Sequence, residues 1–273
     1  MEGEIMKSIL TAMCAASLAL GVAACSGDPG TKTEATEAAS LAGTWKANLD
    51  SAEFENSTSS YLFADGQYTC NSCIPPYTVA ANGEWVSVDR PGVDAVKYTI
   101  VDDRTITAAS RLGDKELGNS TWTISEDGQT MTVNWTNLDG DEVVEGTSTL
   151  TRVAAAPDGA HAASGDWDVA SIGEMSDAGL LFSYMIDGDT ITSTGNGGGY
   201  TATLGGDPVK PEGDESGGMI AVEKVSDNVY RETYSRDGEV INVLEMTVDG
   251  DTLRAVSTDP RDNSTSRWTA TRQ

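Results

Sequence analysis

STWTISEDGQTMTVNW, residues 120–135, alternates apolar and polar side chains on both sides of Asp127-Gly128. Trp122 and Ile124 before the break fall on one face of an extended chain with Met131, Val133 and Trp135 after it. Asp-Gly between alternating runs is the strongest short hairpin signal, because the turn needs residues that tolerate positive φ. The same pattern recurs in YLFADGQYT (61–69), VKYTIVDDRTITAAS (96–110) and YRETYSRDGEVINVLEMTVDGDTLRAV (230–256). Helical periodicity fails nearly everywhere. The chain from Leu41 onward therefore reads as all-β, antiparallel and built of sequential hairpins.

The pattern is written twice. GTWKA at 43–47 returns as GDWDV at 165–169, which places Trp45 and Trp167 122 residues apart. Asp65-Gly66 matches Asp187-Gly188, YTVAANG (77–83) matches YTATLGG (200–206), and VDDRTIT matches VSDNVYRET. Asp127-Gly-Gln-Thr-Met matches Asp249-Gly-Asp-Thr-Leu, and Thr151-Arg152 matches Thr271-Arg272 at an offset of 120. Six landmarks in one order imply a tandem duplication. The expected units are 41–153 and 164–273, joined by the Ala/Pro/Gly linker AAAPDGAHAA at 154–163. Each copy of about 110 residues holds about eight strands at usual lengths, enough for a meander to close on itself or pack as two sheets.

The N-terminus has a different character. MKSILTAMCAASLALGVAAC, from Met6 to Cys25, runs from a basic start through a short apolar stretch into Val22-Ala23-Ala24-Cys25. That arrangement reads as a secretory signal rather than a membrane helix. Val-Ala-Ala-Cys resembles the lipobox of bacterial lipoproteins, which implies removal of 1–24 and acylation of Cys25. Ser26 after the Cys implies, by the same resemblance, the outer membrane of the cell envelope. Residues 25–40 are small, polar and aperiodic, so they read as a flexible tether.

Lys plus Arg number 17 against 43 Asp plus Glu, a net charge of −26. A nucleic-acid partner is excluded, because affinity for phosphate backbones rests on clustered cations. The acids are dispersed over turns, as on a solvated surface.

Gly43-x-Trp45 in a first strand with Arg152 in a last, and Gly165-x-Trp167 with Arg272, resemble the signature of lipocalins and the wider calycins. The resemblance implies two barrels, each closed at one end by a Trp with a late Arg packed across its indole; the small number of aromatics argues against a roomy pocket. DGQYTCNSCIPPYTVAANG at 65–83, the VDDRTIT and SEDGQTMTV segments and the second copy are also similar to a family of uncharacterised bacterial secreted proteins and lipoproteins. That likeness implies fold and export and assigns no activity.

Candidate chemistry is sparse. Cys70 and Cys73, outside the cytoplasm, read as a disulfide that pinches a loop. A redox dithiol would need a helix after the first Cys, and a metal site would need two more ligands. His161, the only histidine, falls in the linker, a poor place for a rigid catalytic base. Carboxylates cluster at Asp102-Asp103, Asp139/Asp141/Glu142, Asp187/Asp189 and Asp249/Asp251, each beside a Gly or at a strand end, where turn chemistry accounts for them. Gly195-Asn-Gly-Gly-Gly199 reads as a loop rather than a phosphate cradle, since no helix follows. No catalytic, metal or cofactor site is expected. The expected function is a lipid-anchored, non-enzymatic binding module for a small apolar molecule or a partner protein. Two alternatives stand beside it: a structural lipoprotein with filled barrels, and a hydrolase using a carboxylate pair.

Overall fold

The computed structural model describes residues 40–273 as an all-β chain with two nearly closed, antiparallel, barrel-shaped sheets. The signal peptide expected at 1–24, the acylated Cys25 and the tether to residue 39 lie outside the described residues. The strands of the first copy are β1 (Gly43–Glu55), β2 (Ser59–Ala64), β3 (Gln67–Cys70), β4 (Tyr77–Ala80), β5 (Val86–Arg90), β6 (Val93–Asp102), β7 (Thr105–Leu112), β8 (Lys115–Ile124), β9 (Thr130–Asn137) and β10 (Val144–Ala154). Those of the second are β11 (Gly165–Met175), β12 (Leu181–Asp187), β13 (Thr190–Gly195), β14 (Gly198–Thr203), β15 (Gly218–Ser226), β16 (Val229–Arg236), β17 (Glu239–Asp249), β18 (Thr252–Asp259) and β19 (Ser264–Arg272).

The opening hairpin forms as its alternation dictates. Ile124 pairs with Met131, Trp122 with Val133, and the five inward apolar side chains are all buried. Two kinds of two-residue turn serve four of the Asp-Gly pairs, while Asp127-Gly128 lies in a longer loop where only the glycine is positive (+70°). Asp65-Gly66 and Asp237-Gly238 have positive φ at both residues (+52° and +72°, +51° and +83°). At Asp187-Gly188 and Asp249-Gly250 the aspartate is the last strand residue, and only the glycine, now first in the turn, is positive (+59° and +60°). These are the requirements of type I′ and type II′ hairpins.

The sheets do not follow the sequence boundaries. One has the order β4-β3-β2-β11-β10-β9-β8-β7-β6-β5, the other β14-β13-β12-β1-β19-β18-β17-β16-β15. The strand that opens each repeat is therefore exchanged. β11 sits between β10 and β2 in the first barrel, and β1 sits between β19 and β12 in the second. The units 41–153 and 164–273 are corrected accordingly: the first barrel runs without interruption from Ser59 to Met175, and the second joins Gly43–Glu55 to Leu181–Arg272. The linker explains half of this. Residues 155–164 turn β10 straight back into β11 as sequential antiparallel neighbours, the common outcome for a short connection. β1 is then left to complete the sheet at the other end of the chain.

Neither sheet ends in a long bare edge. Gly83 N–H donates to the Tyr98 carbonyl at 2.9 Å, tying the end of β4 to β6. In the second barrel Val209 and Ile220 exchange two bonds of 2.8 Å across the seam, beside Gly205 N–H to Val222 O. Such closure protects edges that would otherwise template aggregation.

The barrels meet where the chain crosses between them. Residues 56–58 carry it from β1 to β2, and there Ser57 Oγ accepts from Val169 N–H at 3.2 Å while Thr58 Oγ1 donates to Asp168. A second joint involves the glycine loop at 195–199. Asn196 accepts from Glu142 N–H at 2.8 Å and donates to the Glu142 carbonyl at 2.7 Å. A Cβ on Gly197 would stand 2.3 Å from Gly140 Cα, so both positions require glycine for the loops to approach this closely.

Candidate functional site

Each barrel is closed at one end by the same device. Trp45 is fully buried and donates its indole N–H to the Leu41 carbonyl at 2.8 Å; Trp167 does the same to Ala163 at 3.0 Å. The Arg272 guanidinium lies 4.2 Å from the Trp45 ring centroid, and that of Arg152 lies 4.0 Å from the Trp167 ring. Arg272 donates to the carbonyls of Ser40, Ala42 and Gly250, and Arg152 to those of Ala162, Ser164 and Gly128. Gly43 and Gly165 hold positive φ, +129° and +112°, and a Cβ on either would come within 2.7 Å of its arginine. The expected plug is thus present twice, with one correction. Trp45 meets Arg272 rather than Arg152, and Trp167 meets Arg152 rather than Arg272, because the first strands are exchanged.

Both interiors carry packed, buried side chains. In the first barrel Tyr61, Phe63, Tyr68, Tyr98 and Trp122 interlock, with Tyr68 stacked on Tyr98 at 4.0 Å. Cys70 and Cys73 form the expected disulfide beneath them, both buried. Ser193 holds the equivalent place in the second barrel, since Tyr184 pairs with Ser193 as Tyr61 pairs with Cys70. The cleft where β1 bulges away from β19, between Leu49 and Trp268, encloses about 10 Å³, room for one water.

The second barrel contains a group that sequence reasoning missed. Glu232 on β16 is buried at the centre, 1% exposed. Its Oε1 accepts from the hydroxyls of Tyr184 at 2.8 Å and Tyr200 at 2.5 Å, and its Oε2 from Tyr234 at 2.6 Å. Burial pushes the carboxyl above the usual carboxylate range, and the three phenols pull it back down. Burial, followed by the charge of Glu232, raises Tyr184 and Tyr200 well above the ordinary phenol value, so both remain donors. Ala108 stands in place of Glu232 in the first barrel. There the two tyrosines equivalent to Tyr184 and Tyr200 are Tyr61 and Tyr77, and Tyr77 bonds the Tyr98 hydroxyl at 2.9 Å. The signal was alternation itself: Tyr230, Glu232 and Tyr234 occupy every second position of β16.

The remaining candidates are structural pins. Both ring nitrogens of His161 are engaged, Nε2 with the Asp102 carbonyl at 2.6 Å and Nδ1 with Ala163 N–H at 3.0 Å. Asp102 accepts from Arg104 N–H, and Asp127 from Ser125 Oγ and Gln129 N–H. These turn bonds hold both carboxyls below the usual range. Asp139 pairs with Lys115 at 2.9 Å, and Asp187/Asp189 and Asp249/Asp251 sit at hairpin tips. Among the described residues no three His, Cys, Asp or Glu side chains are grouped to hold a metal ion. Compared with known protein families, curated proteins and solved structures, the chain matches none.

Proposed function

We propose that this protein is a lipid-anchored component of the bacterial cell envelope that works as a rigid, non-enzymatic interaction body, tethered through Cys25 and binding partner proteins on its outer surface. The observation that carries the reading is the filling of both barrel axes. A lumen that takes a small ligand offers a few hundred cubic ångströms. Here Trp122, Phe63, Tyr68 and Tyr98 occupy one axis, and Glu232 with its three tyrosines the other. That packing favours an interaction role over an apolar-ligand carrier. Glu232, whose carboxyl burial pushes above the usual carboxylate range, is sealed inside a barrel at 1% exposure, where no substrate reaches it, which weighs against its use by a hydrolase.

Native mass spectrometry of the protein purified from its host tests the reading, together with cross-linking in intact cells. The expected result is an acylated chain free of stoichiometric small molecules, with envelope proteins captured on its surface. A bound apolar molecule at one per chain overturns it. Cys25→Ala is expected to abolish acylation and release the chain to the soluble fraction. A variant that stays acylated and membrane-bound refutes the anchor.

A further inference from the structure

Of the six tryptophans, five are buried in the barrels; Trp85, just before β5, is the exception. It lies on the outer face of the first barrel. Ala95 and Ala109 are buried there without belonging to the barrel core, at the positions paired with Arg111 and Lys97. Lys97 Nζ stands 4.9 Å from the Trp85 ring centroid and the Arg111 guanidinium 4.6 Å from it.

Lys97 and Arg111 stack on the Trp85 indole rather than on a carboxylate. Neither forms an ion pair among the described residues, although acids outnumber bases 43 to 17. Arg111 Nε is buried with no hydrogen-bond partner. Glu116 stands directly opposite Arg111 on β8, and it accepts from Asn119 Nδ2 at 3.0 Å instead. The second barrel lacks the arrangement. Ala221 and Ser235 take the register positions of Lys97 and Arg111, and no aromatic residue occurs between Gly205 and Met219. The fold therefore does not need the cluster.

We propose that Trp85, Lys97 and Arg111 form a binding site for a small organic monoanion, a carboxylate carried on a flat body. The three side chains offer only N–H donors: an ammonium, a guanidinium and an indole N–H. A ligand that satisfies them must bring lone pairs, and an oxyanion does so with charge-assisted bonds. The indole supplies apolar surface for a flat body. A polyanion is disfavoured, since a chain of charge −26 repels it at long range. The site lies outside the filled interiors and is independent of them.

Benzoate and the isosteric, neutral benzamide are the probes, titrated into the full chain with the tryptophan indole N–H resonances observed by NMR. Trp85→Phe assigns its signal. The expected result is a saturable shift of the Trp85 signal with benzoate and binding about tenfold weaker or worse with benzamide. Lys97→Gln and Arg111→Gln should each weaken benzoate about fivefold or more. The five buried indoles, unmoved in every variant, report that the fold is intact. Equal response to the two probes, no saturable response, or wild-type affinity in the Lys97→Gln/Arg111→Gln double variant overturns the proposal.

Discussion

Glu232 stands in an environment unlike that of its counterpart, since an alanine fills the same place in the first barrel. No cation among the described residues offsets it; three phenols do. Its folded-state pKa is raised above the unfolded value, burial being the largest cause. The stability it contributes is therefore fully present below the ordinary carboxylate pKa and is lost as pH rises through the folded value. Glu232→Gln removes this dependence. Urea unfolding at pH 4.5 and pH 7 is expected to show the wild type gaining on the variant at the lower pH. The gain is at most about 1.4 kcal/mol for each pH step over which the carboxyl is protonated when folded and ionised when unfolded. A gap that is equal at both pH values would mean that the carboxyl does not titrate in that window. Glu232→Ala, which takes the acceptor from two buried tyrosine hydroxyls and one half-buried one, is expected to cost about 2–4 kcal/mol. Alternation along β16 makes the inward direction of Glu232 legible in sequence. Its partners Tyr184 and Tyr200 are not, because they come from strands 48 and 32 residues away and no local pattern pairs them with it.

Among the elements, hairpins read most clearly, since each is specified by its own alternation and its own turn. Asp127-Gly128, Asp187-Gly188 and Asp249-Gly250 all announce their turns. The shift between I′ and II′ geometry moves the turn by one residue, which the dipeptide alone does not specify. The loop after β3 tests how far one element matters to the whole. Cys70 and Cys73 span three residues, and Ser193 takes the place of Cys70 in the second barrel without a bridge. A loop this short adds about 2 kcal/mol in the chain-entropy account. Cys70→Ala/Cys73→Ala is accordingly expected to fold, with its stability in urea lowered by that amount. Reductant should lower the wild-type stability equally and leave the variant unmoved. Loss of folding in the variant would show that the bridge organises Tyr61, Tyr68 and Tyr77 rather than merely constraining their loop.

The whole molecule is where sequence fell short, and the reason is physical. Arg152 and Arg272 end equivalent strands, and Trp45 and Trp167 open equivalent ones, so either pairing satisfies the same carbonyls and the same indole contact. Local energy does not discriminate between them; the connections do, and the residue pattern is silent on connections. The exchange makes the two halves unequal as folding units. Ser59–Met175 holds a full ten-stranded sheet with its Trp167–Arg152 plug, so a fragment of residues 56–176 is expected to fold alone with a cooperative transition. The second copy by itself, 164–273, lacks β1. It keeps Arg272 without Trp45 and exposes the facing edges of β12 and β19, two unpaired rows of backbone groups. It is expected to be unfolded or aggregated on its own. Adding a peptide of residues 40–55 supplies the missing strand and plug and should restore a cooperative transition whose midpoint rises with peptide concentration, since a ligand that binds only the folded state stabilises it by mass action. Circular dichroism and the burial of Trp268 fluorescence follow the rescue. A 164–273 fragment that folds unaided, with β11 closing the sheet in place of β1, would show that the exchange is a choice of connection made late rather than a requirement of the second barrel.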